Sequence, residues 1–315
     1  MLLQVLTRLG VFVASLLAAS VLVFAFMAVL PGDPAQIALG VSATPESVAA
    51  TQAAFGTDRP LAVQYADWVT GLPVGDFGSS FVSRAAIGPR ILDRVQVTLW
   101  LVLCATVLAL VLALPLGVLA AARHRSAAGS VLSGLSQLGI AIPSFLAGIL
   151  LVTMFAVRLG VLPSGGWVPP AQDPGQFLRH LVLPVVALGV VQAAVLTRYV
   201  RSAVLDVLRE DYVRTARAKG LGPLSALARH GFRNAAIPVV TVLALQVATL
   251  LIGAVVVERV FVIPGLGSLL LDGTANRDLL LVQGVVMVLV VAVLLVNLLV
   301  DLLYTVIDPR LRVGR

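Results

Sequence analysis

Apolar residues along this chain gather into six long runs, at about 9–30, 95–122, 131–157, 181–200, 237–257 and 279–307, separated by shorter polar stretches. A helix needs roughly 20 mainly apolar residues to cross a hydrocarbon layer, so each run predicts a transmembrane helix. The first run exceeds the roughly 7 to 15 residues of a secretory leader's apolar core, and residues 1–30 are read as an uncleaved N-terminal anchor helix. Six spans place both termini on one side of the membrane.

Between the first two runs, residues 31–94 leave the membrane and carry helical signals of their own. Thr44-Pro45 offers an N-cap followed by proline at the first helical position. From Pro60, the residues Leu61, Tyr65, Trp68, Val69 and Leu72 recur at helical spacing, with Gly71 marking an end. Such a stripe reads first as packing against the span ends, and alternatively as a surface facing a substrate.

The polar stretch DYVRTARAKGLGPLSALARHGFRNAAIP, Asp211 to Pro238, stands out from the apolar runs on either side. It sets Arg214, Arg217, Lys219, Arg229 and Arg233 against the single acid Asp211, and Lys219 is the only lysine in the chain. Gly220-Leu221-Gly222-Pro223 interrupts helix, because glycine is permissive and proline cannot continue the preceding turn. Two helices are predicted, over about 204–219 and 223–231. The second is about two turns, and isolated helices shorter than about 12 residues are marginal in water. It therefore calls for a partner groove. Tyr212 with Ala216, and Thr215 with Lys219, share helical faces, while Leu221, Leu224 and Leu227 give the following segment an apolar edge suited to anchoring in a partner.

Composition agrees with a membrane protein: 59% of residues are hydrophobic, 12% are charged and the mean hydropathy is +1.04. A soluble domain carries about a quarter charged residues. The formal net charge of +7 raises nucleic acid as a partner, but the basic residues follow span ends rather than one folded face, which excludes it. Most of the 22 basic residues fall on the side that holds the termini and the 211–238 stretch. Basic residues are enriched on the cytoplasmic side of spans, so both termini and this stretch are placed in the cytoplasm, and 31–94 outside it. The lone Cys104 reads as a packed thiol, and His124, His180 and His230 have no metal-ligand spacing. No metal is expected.

Within the spans, Pro115 and Pro143 predict kinks or local openings. Gln137, Gln192, Gln246 and Asn297 are polar at membrane depth, where lipid cannot satisfy them. They either hydrogen-bond between helices or line a polar path. Asp301 sits near the cytoplasmic end of the last span, where pairing with an arginine fits better than proton relay. After the fifth run, Glu258 and the turn VFVIPGLG, with Pro264, Gly265 and Gly267, bring irregular backbone to a span end. That is tolerated only where protein packs it or it lines water, so it reads as an external gate or as a simple loop.

No phosphate-cradling glycine loop precedes Lys219, so no ATP site is expected on this chain. The scattered Ser, Thr and His residues offer no nucleophile with a base at telling spacing, and an enzyme is not expected. An ATP-independent channel or secondary carrier is the reading from a different class.

Seven segments, in order, carry a resemblance: LPGDP (Leu30 to Pro34), DRPLAVQYADWVTGLPVGDFGSS (Asp58 to Ser80), AIPSF (Ala141 to Phe145), DYVRTARAKGL (Asp211 to Leu221), HGFRNAAIPVVT (His230 to Thr241), VERVFVIPGLG (Val257 to Gly267) and DLLYTVIDPRLR (Asp301 to Arg312). From end to end the chain resembles the B-type permease subunit of the dipeptide, oligopeptide and nickel branch of bacterial ABC importers. The resemblance implies an all-α integral membrane protein of six transmembrane helices, with the type I ABC importer (MetI-like) permease fold and a helical extracytoplasmic segment after the first helix. It implies a five-helix permease core over 95–308, a cytoplasmic coupling loop over 201–236 and a cytoplasmic tail over 309–315. It assigns the basic loop to the "EAA" coupling region, with Arg214, Thr215 and Ala216 at the E-A-A positions and Gly220 at its glycine. The glutamate is absent and the gap from Gly220 to Ile237-Pro238 is long, departures common in the peptide branch.

The coupling residues implied are Tyr212, Arg214, Thr215, Ala216, Arg217, Lys219, Gly220, Leu221, Leu224, Leu227, His230, Arg233 and Asn234. The partners implied are a homologous C-type permease, two ABC ATPase subunits or domains that bind ATP and magnesium, an extracytoplasmic substrate-binding protein and membrane lipid. The place implied is the bacterial inner membrane. The cargo implied is a di- or oligopeptide, with nickel, an opine or glutathione as alternatives.

Overall fold

Long apolar runs can satisfy their own backbone in lipid only as helices. The computed structural model describes residues 2–307, with side chains from 5 to 303, and among these it is helical apart from turns and one isolated bridge between Ser79 and Ala86. In chain order the helices are α1 (Leu2–Val29), α2 (Pro34–Leu39), α3 (Pro45–Phe55), α4 (Leu61–Gly71), α5 (Ile87–Ala122), α6 (Ala127–Ala141), α7 (Ser144–Leu151), α8 (Pro174–Arg209), α9 (Asp211–Ala218), α10 (Pro223–Ala226), α11 (Phe232–Val260), α12 (Leu266–Ala275) and α13 (Leu279–Ile307). Two π-helical segments add to them: Val152–Arg158 continues α7, and Leu227–Gly231 joins α10 to α11. The tail expected over 309–315 lies outside the described residues.

Five helices are long and apolar enough to cross a membrane, and there are six if α6 and α7 with its π extension count as one broken span. The kink or local opening expected at Pro143 takes the form of a sharp bend: the chain turns by 94° between α6 and α7. Pro143 cannot donate, and its ring pushes the preceding residue out of helix; Ile142 accordingly adopts φ −91° and ψ 116°. Pro115, by contrast, stays inside the continuous α5, as Pro184 and Pro238 do inside α8 and α11. The helices also outrun the apolar stretches that forecast them. At 36 residues, α8 is about 54 Å long at 1.5 Å per residue, against about 30 Å of hydrocarbon, so its polar C-terminal turns stand clear of the membrane.

The chain divides into two compact units, with the boundaries inside α1, α5 and α13 and after Ile263. One unit takes the first turn of α1, up to Val5, with 99–263 and the last part of α13. Its core joins Ala109 and Ala113 of α5, Ala193, Leu196 and Val200 of α8, Val213 of α9, Leu227 and Val239. Membrane helices lack a hydrophobic force between them and associate through small residues that let backbones approach. At Gly117 an added Cβ would come within 2.6 Å of the Val200 side chain, and at Gly189 within 3.0 Å of the Ala105 carbonyl. The other unit takes 6–98 and 264–295. Thr44 caps α3 reciprocally with Ser47, and Gly56 closes the helix with φ 70°. The α4 stripe packs on α1 as expected: Tyr65 and Trp68 meet the Phe24 ring, and Ser20 and Tyr65 share a 2.9 Å hydrogen bond. Buried Asp278 accepts from the Ser80 hydroxyl and the Phe81 N–H, tying the segment before α5 to the start of α13.

Candidate functional site: the hairpin between the fourth and fifth spans

The hairpin begins where α8 ends at Arg209 and Glu210 turns the chain with φ −65° and ψ 142°. This corrects the expected helix over 204–219, which is two helices meeting at Glu210. In α9, Asp211 lies in the first turn and Arg217 in the last, each at the end whose helix dipole it complements. Val213 and Ala216 point inward and are buried in the core, which leaves Tyr212, Arg214, Thr215, Arg217 and Lys219 on the exposed face. Thr215 donates to the Asp211 carbonyl and Arg214 reaches the Asp211 carboxylate at 3.4 Å. Gly220 then takes φ 95°, a conformation that side chains other than glycine's rarely adopt, and nothing lies within 4 Å of where its Cβ would be. The glycine is there for backbone reasons, not for space.

Pro223 starts α10 at its first position, and here a second expectation is corrected. The helix over 223–231 is not an isolated two-turn piece; it runs on through the π segment into α11, giving one helix from Pro223 to Val260. The extra residue of the π turn rotates what precedes it. Leu227 is therefore turned into the chain's own core at 5% exposure and Leu221 packs against that core, while Leu224 stays 54% exposed. The apolar edge of three leucines thus reduces to Leu224. Gly231 sits against Val207 of α8, where an added Cβ would meet a methyl at 2.6 Å, and Asn234 donates to the Tyr212 hydroxyl at 2.7 Å. The hairpin is rooted on both neighbouring spans. His230 and Arg233 are exposed beside Phe232, whose ring is 63% exposed. Sequence reasoning missed Phe232; a large apolar residue inside a basic stretch, before the next span begins, was the available signal.

The polar span residues divide. Gln192 and Gln246 are buried, and neither finds a partner for its side-chain nitrogen; Gln137 and Asn297 lie on exposed faces. The gate candidates divide as well. Glu258 is fully buried in the last turns of α11, whereas Pro264, Gly265 and Gly267 belong to the other unit at the start of α12, where the Leu266 N–H donates to Thr98 Oγ1. Between them Val262 holds φ 52°, a real strain for a β-branched residue. The Gly166 N–H donates to the Phe261 carbonyl at 2.8 Å, and Gly165 lies flat against that same carbonyl. The sequence signal for this strap was Gly165-Gly166, a pair that marks close backbone approach.

Residues 113–313 match the family described as binding-protein-dependent transport system inner membrane component, and residues 1–102 match that of its N-terminal part. The glutathione transport system permease protein GsiC of Salmonella choleraesuis is 41% identical, with 99% of each chain covered. The dipeptide transport system permease protein DppB of Escherichia coli is 38% identical, with 98% of each covered. Among solved structures, the MetNI methionine ABC transporter in an inward facing conformation aligns with a TM-score of 0.57 at 19% identity, covering 69% of this chain and 96% of that one.

Proposed function

We infer a function from the premise that this chain belongs to the binding-protein-dependent transport system inner membrane component family: it is a permease subunit of an ABC importer of the peptide branch, embedded as a multi-pass inner membrane protein. Its cargo is a di- or oligopeptide delivered by an extracytoplasmic binding protein. A small peptide such as glutathione belongs to the same chemical class and is the nearest alternative. Both termini and the hairpin lie in the cytoplasm, with 31–94 outside. A homologous second permease completes the pathway, and ATP with magnesium is bound on two ATPase subunits.

The observation that carries the coupling role is the contrast within residues 201–236. A face of Tyr212, Arg214, Arg217, Lys219, Leu224 and Phe232 is left exposed, while Val213, Ala216 and Leu227 root it on α8 and α11. An apolar side chain entering a partner contributes about 1.5 to 3 kcal/mol and an exposed ion pair about 0 to 1, so Leu224 and Phe232 hold and the basic residues orient. Exposed Gln137 and Asn297 at membrane depth face the second permease or the pathway rather than lipid. The strained turn at Val262, with Glu258 and the glycines beyond it, closes the path externally. The test is uptake of a labelled dipeptide by vesicles holding the complete complex. Uptake that requires ATP inside and binding protein outside supports the reading; uptake that persists without the ATPase sinks it in favour of a secondary carrier.

A further inference from the structure

Where α1 ends, two cavities meet at Met27. The first, of about 400 Å3, lies between α1, α4, the segment around Phe77 and the start of α13. Aromatic and aliphatic side chains form its walls, and Arg59, Asp67 and Asp76 stand on its lining. The second, of about 590 Å3, is a groove between α1 and α13 lined by Leu22, Val23, Phe26, Met27, Val29 and Val286 without a single polar side chain. An apolar groove at membrane depth that opens beside a charged chamber at the membrane surface has the shape and polarity of one amphiphile.

The polar groups say which. Arg59 spends Nε on the Gly56 carbonyl and Nη1 on Asp67 at 2.6 Å, which leaves Nη2 for an anionic oxygen. Asp67 accepts through Oδ2, and Asp76 accepts the Gly78 N–H through Oδ1, so each keeps a second carboxylate oxygen. Trp68 Nε1 and Gln283 Nε2 both belong to side chains that line the first cavity and are more than nine-tenths buried, and neither has an acceptor. A buried N–H without an acceptor is costly, and more so next to lipid. A ligand that fits carries a phosphate for Arg59, an ammonium for the two aspartates, ester carbonyls for the two N–H groups and an acyl chain for the groove. We propose that this is a site for an aminophospholipid with a primary ammonium headgroup, drawn from the leaflet at the Val29 end of α1. One cation against two carboxylates disfavours an anionic lipid, and the ammonium's hydrogen bonds to Asp67 and Asp76 distinguish ethanolamine from choline headgroups.

The full-length chain, purified in detergent and supplied with phosphatidylethanolamine, phosphatidylglycerol and phosphatidylcholine at equal mole fraction, tests this by native mass spectrometry. One phosphatidylethanolamine is retained per chain, several-fold over the other two. Arg59→Ala and Asp76→Asn, both at the surface, lower its retention several-fold, and Gln283→Leu does so while keeping the apolar volume. A second readout uses the W100F/W167F protein, in which Trp68 alone fluoresces. Phosphatidylethanolamine with brominated chains quenches it more than the phosphatidylglycerol counterpart, and Arg59→Ala removes the difference. Equal retention of the three lipids overturns the proposal, and so does retention that the variants leave unchanged. Cross-linking of Gln283→Cys to a partner chain with no lipid retained overturns it in favour of a protein occupant.

Discussion

Leu224 and Leu227 lie three residues apart, and the structure gives them opposite fates, which makes them a test of the coupling role proposed for the hairpin. Leu227 is 5% exposed within the core formed by α5, α8, α9 and α11. Truncating such a residue to alanine costs about 2 to 5 kcal/mol through lost transfer energy and the cavity left behind. Leu224 is 54% exposed, so Leu224→Ala leaves the fold almost untouched. If an ATPase buries it, about half of the 1.5 to 3 kcal/mol for a full leucine is gained on association. Losing up to about 1.5 kcal/mol weakens binding by up to about tenfold. Leu224→Asp places a carboxylate in the same apolar contact, at an effective penalty of several kcal/mol, and association is lost. Each variant would be made in the full complex, with thermal unfolding of the permease, titrated retention of the ATPase and ATP-driven uptake read side by side. Leu227→Ala should lower the unfolding temperature, whereas Leu224→Asp should keep it and abolish both retention and uptake. The reasoning fails if Leu224→Asp binds the ATPase like the wild type, or if both positions destabilise the chain equally.

Three further outcomes follow from the geometry. Gly220→Leu places its Cβ in open space but must hold φ 95°, at about 1 to 2 kcal/mol; membrane insertion should be normal while uptake falls, and uptake at the wild-type rate would count against a role for this turn. Gly165→Ala drives a methyl into the Phe261 carbonyl, so the turn before α12 must shift; a raised ATPase rate without binding protein is the expected sign of a disturbed external gate, and an unchanged rate refutes it. Single cysteines at the exposed Ser79 and Ser225, in a chain lacking Cys104, should react with an impermeant maleimide from opposite sides of the membrane; reaction of both from outside would overturn the topology.

The spans were legible because hydrocarbon imposes a length that composition alone reports, and the α3 and α4 signals were legible because capping and spacing are local. The geometry at Pro143 was not. Proline announces a missing N–H, but whether the chain kinks or turns through 94° depends on what α6 and α7 pack against. Leu224 and Leu227 were equally ambiguous, because their spacing is the same whether or not a π turn follows, and that turn decides which one faces α8. The exposed face of the hairpin was readable from charge, except for Phe232, which looked like the start of the next apolar run. Gln192 and Gln246 could not be told from Gln137 and Asn297 by depth, since all four sit well within spans and only packing separates them.

The absence of a break between Pro223 and Val260 also sets a mechanical scale. Thirty-eight residues of unbroken helix make a rod about 57 Å long, reaching from the hairpin through the full thickness of the membrane. Tilting such a rod by about 5° about one end moves the other by about 5 Å, roughly the rise of one helical turn. A small rotation imposed at Pro223 therefore arrives at Val260 as a displacement large enough to change which side chains meet there. The turns at Glu210 and Gly220 lie upstream of the rod, outside the stretch that carries that motion.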